Sequence, residues 1–409
     1  MLIKYEFLKI VRRKSTLIVM AISLLVTAFL FGLPVLQYQT YNQEVVIKGM
    51  AGIAYEKEQY ESLSVPLTDE YVADTIGEYQ RLFENPDNVG YDGNEKFLVG
   101  DAYWSFVAPR TKLLNMIAGN YDRPGESAGY NKLPDMDMES GAAFYQTRDE
   151  KIEALLGTPS RELSEQQKEY WRSMSNEVDT PLQYGYYGSW EIIMSSFELL
   201  MFALLAVCIV LAPVFAGEYQ AGTDAVILAG KYGKTKLITA KIISSFLFGI
   251  LAFTLHIVVA FGIPLMAFGV DGWNLPLQIA NTAIPYPHTF LQATLINLAV
   301  ICLVLLAMIG ITLLLSAKMK SPYLVLIVLV PVLFIPLFLT PNGTNGLYNL
   351  TLFLLPYRAT MPEVGKYISY QFGGLVLDAL SVRAVIYAVL TLIAIPFARR
   401  GFKKHQVSG

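Results

Sequence analysis

Long apolar runs separated by polar segments are the dominant pattern of this 409-residue chain. The first run, residues 15–36, has no charged residue and follows five basic residues: Lys4, Lys9, Arg12, Arg13 and Lys14. Further apolar runs lie near residues 199–216, 242–268, 290–316, 322–340 and 383–398. About 20 helical residues cross a hydrocarbon core about 30 Å thick. The pattern therefore predicts an all-α polytopic membrane protein with six transmembrane helices.

The first 14 residues predict a helix that lies on the membrane surface. On a helical wheel, one side carries apolar side chains, namely Ile3, Phe7, Ile10 and Val11. The other side carries the charged side chains Glu6, Lys9, Arg12 and Arg13. This division is typical of an interfacial helix on the cytoplasmic leaflet. The alternative is a basic flank that only fixes the orientation of the first span.

Two long segments outside the spans also show helical patterns. Residues 37–189 predict a mainly helical extracellular domain, with one helix capped by Thr68 and another that starts after Ser164 and places Trp171 on its apolar side. Residues 341–381 contain the run 347–355, which is too short to cross. We expect a re-entrant or interfacial helical hairpin there. The predicted domains are residues 1–36, 37–189 and 190–409, the last with a cytoplasmic segment at 217–241.

Charge supports this topology. Residues 37–189 hold 26 of the 34 acidic and 13 of the 31 basic residues, so 8 acidic and 18 basic residues remain elsewhere. The remaining basic residues flank the apolar runs on the side that the positive-inside rule assigns to the cytoplasm. We therefore expect a plasma-membrane protein with both termini cytoplasmic and residues 37–189 extracellular. We expect no nucleic-acid partner, because no basic face remains once the membrane flanks are counted.

Composition argues against a soluble enzyme. The chain is 54% hydrophobic and 16% charged, with a mean hydropathy of +0.42. Its three histidines are scattered, so we expect no metal site, and catalytic signatures are scarce. The triplet 233–235, Gly-Lys-Thr, is not a phosphate-binding loop, because position 228, where that motif has its first glycine, is Leu228.

The segment between the second and third runs carries the most specific pattern. Glu218 ends one run, the pair Gly222 and Thr223 follows, Leu228 lies in a short apolar turn, and a basic stretch leads to the pair 240–241, Ala-Lys. This pattern resembles the cytoplasmic signature of the ABC-2 family of ABC transporter permeases, although a proline common after the leucine turn is replaced by residues 230–233. Residues 37–189, which we call the insert, resemble the extracellular domain that a subset of that family carries between the first two spans.

The resemblance implies the membrane subunit of an ATP-driven exporter, with ATP and Mg²⁺ bound by a separate cytoplasmic ABC ATPase. It also implies a second permease copy or paralogue within the bilayer. The residues that would couple this chain to the ATPase are Glu218, Gly222, Thr223, Ile227, Leu228, Lys231, Lys234 and Lys236. Ile227 and Leu228 would be the apolar anchors, and Glu218 would pair with a basic group at the membrane boundary. The alternative is a basic loop that only fixes topology.

Two polar residues within the runs are candidates for a transport pathway. They are His256, near the middle of the third run, and Glu198, at the outer end of the second. Each has a simpler explanation: His256 bonds a neighbouring helix, and Glu198 lies at the headgroup level. Peptides, antimicrobial compounds and lipid-like molecules are the candidate substrates. The competing function is a non-transporting membrane sensor or envelope-complex scaffold that uses the extracellular domain.

Overall fold

The computed structural model describes residues 1–43, 45–93, 95–126, 129–137 and 141–404; the predicted last domain therefore ends, at 405–409, outside the described residues. The principal helices are α1 (Leu2–Val11), α2 (Lys14–Leu36), α3 (Gly49–Glu61), α4 (Asp69–Leu82), α5 (Ala108–Asn120), α6 (Phe144–Leu156), α7 (Glu165–Asn176), α8 (Gly188–Gln220), α9 (Asp224–Ala229), α10 (Gly233–Phe268), α11 (Phe290–Lys318), α12 (Pro322–Phe338), α13 (Leu347–Leu354), α14 (Pro356–Ala359) and α15 (Ala379–Lys403). The strands are β1 (Gln39–Asn42), β2 (Val45–Lys48), β3 (Pro66–Leu67), β4 (Val89–Asp92), β5 (Glu95–Leu98), β6 (Leu182–Gln183), β7 (Ser369–Phe372) and β8 (Leu375–Asp378).

The strands form four antiparallel pairs: β1–β2, β3–β6, β4–β5 and β7–β8. Short 3₁₀ turns lie at Pro86–Asn88, Gly129–Asp135, Pro159–Arg161 and Leu277–Ile279, and the turn Gly100–Ala102 with the π-helical Tyr103–Val107 leads into α5. The protein is therefore mainly helical with little sheet, as the sequence predicts.

Within the described ranges, five helices are long and apolar enough to cross a membrane: α2, α8, α10, α11 and α15. The fifth predicted span, residues 322–340, forms the shorter apolar helix α12. The helices extend beyond several predicted boundaries. For example, α8 spans 188–220, whereas the apolar run covers 199–216. The first turns of α8 carry polar residues, and one of them, Glu191, pairs with Lys112 of the insert.

Contacts at both ends of the helices fix their directions. α8 and α10 run antiparallel, since Glu218 meets Lys241 at one end and the Trp190 indole bonds the Val270 carbonyl at the other. α11 and α15 run parallel: Tyr286 bonds Asp378 just before both helices start, and Gly401 lies beside Ala317 where both end. The chain returns between these two parallel helices through α12. We call the end with residues 1–14 and 217–241 the inner end and the opposite one the outer end.

The α8 helix lies at the centre of the helical bundle. In its most apolar 18-residue window 72% of the residues are buried, against 17% for α2 at the periphery. Pro213 has no N–H and interrupts the hydrogen-bond ladder of α8. Next to this interruption, Ser316 of α11 bonds the backbone of α8: its hydroxyl donates to the Ala212 carbonyl at 2.6 Å and accepts from the N–H groups of Phe215 and Ala216. The Ser316 side chain thus pairs three backbone groups of α8 and joins two central helices.

Two helices of the insert start where the sequence predicts them. Thr68 accepts a bond from the Tyr71 N–H and caps α4, whose Val72, Ile76 and Tyr79 are buried. Ser164 and Gln167 form a capping box at the start of α7, and Trp171 on that helix is fully buried. These caps and apolar positions are local, which is why the sequence alone located both helices.

The predicted outer hairpin differs from the expectation in its second half. Residues 341–381 contain the short helices α13 and α14, but then β7 and β8 form a β-hairpin where we expected a helix. The turn between the strands contains Gly373, whose φ of +64° suits a tight two-residue connection. Burial decreases along the hairpin, from Ser369, Tyr370 and Asp378 at its base to the exposed turn, so the apolar residues here belong to a sheet with one buried end.

Candidate functional site

The inner end is built around a buried carboxylate. Glu218, in the last turn of α8, accepts bonds from Lys241 Nζ at 2.8 Å and from Lys9 Nζ at 2.6 Å. Lys241 Nζ also lies 2.9 Å from Glu6 Oε2. We call these four residues the inner ion cluster; it joins α1, α8 and α10.

Burial makes this cluster a rigid connection. The side chain of Lys241 is 1% exposed and that of Glu218 is 7% exposed. A charge so buried is costly unless it is paired, and removal of one partner leaves the other uncompensated. Ser244 of α10 adds a neutral bond to the Ile3 carbonyl at 2.9 Å. The amino-terminal helix is therefore held to the helical bundle by charge as well as by apolar packing.

The same carboxylate holds the start of segment 217–241. The Thr223 hydroxyl donates to Glu218 Oε2 at 2.5 Å, and the Thr223 N–H donates to the Glu218 carbonyl at 3.0 Å. Gly222 has φ +65°, a conformation that side chains disfavour, and it reverses the chain between α8 and α9. The Glu218, Gly222 and Thr223 of the sequence motif thus form one turn.

The short helix α9 divides its apolar side chains between the protein and solvent. Leu228 is 7% exposed and packs against the chain itself, and Ile227 is half-buried. Val226 is 76% exposed. The structure therefore leaves Val226, rather than Leu228, available to an outside partner; the burial of Leu228 is a tertiary contact that local sequence does not reveal.

The basic residues of the segment surround an exposed aromatic ring. Lys231, Lys234 and Lys236 are all exposed. The Nζ atoms of Lys236 and Lys231 lie 4.8 and 5.6 Å from the centroid of the Tyr232 ring. This arrangement gives α9 and the following turn a cationic, aromatic and partly apolar face, which we call the coupling surface: Val226, Lys231, Tyr232, Lys234 and Lys236.

One close backbone approach fixes the shape of this surface. A Cβ atom at Gly233 would lie 1.7 Å from the Ile227 carbonyl oxygen, which no side chain permits. The Gly233 N–H bonds the Gly230 carbonyl at 3.0 Å, and the π-helical turn Gly233–Leu237 then leads into α10. The Gly-Lys-Thr triplet thus serves as a tight turn.

Comparison with known families decides the assignment. The model of the family described as ABC-2 family transporter protein matches residues 1–398. The chain belongs to this family. No curated protein and no solved structure matches the chain. As an ABC-2 family member, the protein is a transport permease of a membrane and is associated with an ABC ATPase.

The predicted pathway residue His256 lies inside this permease between two helices. It is fully buried, its Nδ1 donates to the Ala252 carbonyl at 2.8 Å, and its Nε2 lies 3.0 Å from Ser23 Oγ on α2. Both ring nitrogens therefore have partners within the protein. The structure places His256 as a tie between α2 and α10.

Glu198 occupies a break in α8 at the outer end. It lies in the 3₁₀ turn Phe197–Leu199, and the Tyr357 hydroxyl of α14 donates to its Oε2 at 3.1 Å. The carboxylate is half-buried and faces α14 in residues 341–381, which we call the outer segment. His256 and Glu198 therefore lie in separate contacts of the permease rather than in one shared site.

A second buried charge cluster, which sequence reasoning missed, lies beside this region. Arg383 of α15 is fully buried; it donates to the Phe353 and Met361 carbonyls at 2.9 and 2.8 Å and to Glu363 Oε2 at 2.9 Å. We call Arg383 and Glu363 the outer ion pair. The sequence signal for this pair was a single arginine at the start of the last apolar run, and the positive-inside rule counts such a residue only as a basic flank of the span.

Among the described residues, no group of three or more histidine, cysteine or acidic side chains could hold a metal ion.

Proposed function

We propose that this ABC-2 permease is the membrane-spanning subunit of an ATP-driven exporter and that its coupling surface docks on the cytoplasmic ABC ATPase. The inner ion cluster carries the proposal. Glu218 holds the root of α9 through Thr223 and, through Lys241 and Lys9, also holds α10 and α1. A push on α9 would therefore reach three helices through charged contacts centred on the buried pair Glu218 and Lys241, rather than bend a loose loop.

We further propose that the permease crosses the membrane six times with both termini in the cytoplasm. The parallel directions of α11 and α15 support this topology, because the chain must return between them through α12. That helix has 13 α-helical and four 3₁₀ residues, which extend about 28 Å. This length approaches the hydrocarbon thickness of about 30 Å. The insert and the outer segment would then be extracellular.

The division of work between subunits follows from the same proposal. This chain would contribute no catalytic residues, and ATP with Mg²⁺ would bind to the ATPase. Val226 would enter an apolar pocket of that partner, while Lys231 and Lys234 would face acidic groups around it and Lys236, at the edge of the coupling surface, would meet lipid phosphate. Glu218, Gly222, Thr223, Ile227 and Leu228 would shape the docking segment from behind.

A second permease copy or a paralogue would complete the transport pathway. The peripheral helix α2 and the face of α12 with Ile327 and Phe338 expose large apolar side chains, as a lipid-embedded or paired helix does. The strongly acidic insert favours cationic cargo or ligands, so a cationic peptide is our first candidate substrate among peptides, antimicrobial compounds and lipid-like molecules.

The docking proposal is tested by charge reversal on the coupling surface. We expect Val226→Asp combined with Lys234→Glu to weaken co-purification of the co-expressed ATPase by more than about 30-fold, the effect of losing one interface hot spot. ATP-dependent transport in vesicles should be lost as well. The matched control is Lys320→Glu, an exposed lysine of the other inner loop. Unchanged assembly and transport in the double variant would refute docking at this surface and favour the sensor or scaffold function.

A further inference from the structure

Two adjoining cavities open on the inner half of the protein, between α1, α10 and α15. Each has a volume of about 480 Å³, and both are lined by Thr239 and Arg399. They therefore form one continuous groove, which we call the inner-leaflet groove. It lies beside the coupling surface, since Lys236 belongs to both.

The groove changes from basic to apolar along its length. Its inner mouth carries Lys236 and Arg399, both exposed. Within the described part of the chain, neither side chain forms an ion pair, and no acidic residue lines the groove. Below Arg399 the walls are apolar: Ile242, Ile243, Phe246, Leu247, Ile250 and Ile395. A ligand that fits must therefore carry negative charge at one end and hydrocarbon at the other.

The orientation of these walls agrees with the membrane. Ile243, Leu247 and Ile250 follow the spacing of one helical face on α10, and each is more than 40% exposed. Ile395 and Arg399 are four residues apart and share a face of α15. The groove therefore opens sideways toward lipid, with its charged mouth at the level where headgroups of the inner leaflet lie.

The length of the groove matches one leaflet. Thr239 and Ile250 are eleven residues apart on α10, which corresponds to about 16 Å along the helix axis. Half of a hydrocarbon core about 30 Å thick is about 15 Å. An acyl chain that starts at the headgroup level would reach the end of the groove near the bilayer midplane.

We propose that the inner-leaflet groove is a binding site for an anionic phospholipid of the cytoplasmic leaflet. Lys236 and Arg399 hold its phosphate, and one acyl chain lies along the six apolar residues. The lipid bridges α10 and α15 and covers the start of α1. It thereby supports the base of the coupling surface from the membrane side.

The test uses the purified full-length permease in detergent without any ATPase, so its result is independent of the docking proposal. Binding of phosphatidylglycerol, phosphatidylcholine and inorganic phosphate is measured by native mass spectrometry and by thermal stabilisation. We expect phosphatidylglycerol to bind at least about tenfold more tightly than phosphatidylcholine, and phosphate alone to compete weakly.

Two kinds of variant locate the site. Lys236→Gln with Arg399→Gln should weaken phosphatidylglycerol binding about tenfold or more, because each basic residue contributes about 1 kcal/mol near an anionic surface. The control Arg400→Gln with Lys403→Gln also removes two positive charges, but from exposed positions of α15 outside the groove. It should change phosphatidylglycerol binding less than twofold. Leu247→Trp fills the lipid-facing wall and should also weaken binding of the phospholipid.

Three results would overturn the proposal. If the control variant lost as much phosphatidylglycerol binding as Lys236→Gln with Arg399→Gln, the lipid would be held by diffuse charge attraction. If inorganic phosphate displaced phosphatidylglycerol as well as added phospholipid does, the groove would be a simple anion site. Disulfide cross-linking of Leu247→Cys between two copies of the permease would mean that a second subunit fills the groove.

Discussion

The two ends of the helical bundle are both held by buried charges, but they present different surfaces. At the inner end, the ion cluster lies directly behind α9, and the coupling surface beyond it is exposed. At the outer end, the ion pair of Arg383 and Glu363 lies beneath a segment that the insert covers. The inner end therefore leaves a cationic and aromatic surface exposed, whereas the outer end is covered by the chain's own insert.

The insert is attached to the outer end by specific polar contacts. Gln167 Nε2 donates to the Ser369 carbonyl at 3.0 Å, and the Trp171 indole donates to Ser369 Oγ at 3.1 Å. The buried guanidinium of Arg148 donates from Nε to the Thr282 carbonyl at 3.0 Å. Because these bonds link α6 and α7 to the outer loops, the insert and the outer ends of the helices should move together.

A further charged contact lies where the insert leads into α8. Lys112 bonds Glu191 at 2.9 Å and lies 3.5 Å from Glu56. Burial by itself would lower the pKa of Lys112, but the two carboxylates outweigh burial and raise its pKa above the usual value. The lysine therefore remains charged and joins α3, α5 and α8.

The largest effect should come from the outer ion pair. Arg383→Met leaves the Phe353 and Met361 carbonyls without this donor, and Glu363 keeps only Lys366 at 2.9 Å and Arg358 at 3.7 Å. The loss of two bonds to backbone carbonyls, which the inner cluster does not have, makes this the costlier change. We expect a loss of about 3–5 kcal/mol in the free energy of unfolding, measured by denaturant or thermal unfolding of the purified protein.

The matched control is Lys403→Met, an exposed basic residue at the other end of the same helix, which should change stability by less than about 0.5 kcal/mol. Arg383→Lys should restore only part of the loss, since a lysine cannot reproduce the planar guanidinium fork. A variant Arg383→Met as stable as the parent would show that the outer end is not held by this pair.

The inner cluster should tolerate a comparable change better. In Lys241→Met, Glu218 keeps Lys9 and Thr223, and Glu6 is close enough to solvent to rehydrate. We expect a loss of about 1–3 kcal/mol in unfolding free energy together with a marked loss of ATP-dependent transport. Lys241→Arg should recover stability and part of the transport. If transport persisted in a folded Lys241→Met protein, the inner cluster would be structural only.

The smallest effect concerns the exposed pair of Lys57 and Asp271, which joins α3 to the loop after α10 at 2.5 Å. The hydrogen bond from Lys57 lowers the pKa of Asp271 below its ordinary value of 3.8. The stabilisation should therefore be complete above about pH 4 and disappear as the pH falls through the lowered folded-state pKa. We expect Asp271→Asn to lose less than about 1 kcal/mol at pH 7, because the pair is exposed.

A melting-temperature series from pH 7 to pH 3 on the parent and Asp271→Asn checks this sign. The difference between the two proteins should shrink toward zero in acid. A difference that stays constant over the series would assign the effect to packing rather than to the charge of Asp271.

The local parts of the fold were predictable from the sequence. The caps at Thr68 and Ser164 and the apolar face of α4 depend on neighbours three or four residues away, so their pattern is visible in one dimension. The apolar runs likewise predicted the long helices. The β-hairpin 369–378 was missed because a short apolar stretch fits either a helix or a strand until its partner strand is known.

The candidate site was predictable in position but not in its partners. The motif located Glu218, Gly222 and Thr223 and anticipated a basic partner for Glu218, which the structure confirms as Lys241 and Lys9. Glu6 was placed on the polar side of an interfacial helix, yet its carboxylate faces the buried Lys241. A helical wheel separates charge from apolar surface, but it contains no information about a charge on another helix more than 200 residues away.

The absence of a side chain at position 233 also limits how the inner segment can move. The Ile227 carbonyl oxygen lies 1.7 Å from where a Cβ atom at position 233 would be, so α9 is in backbone contact with the start of α10. Thr223 ties the other end of α9 to Glu218, so a displacement of α9 would be transmitted to α8 and α10 as one unit.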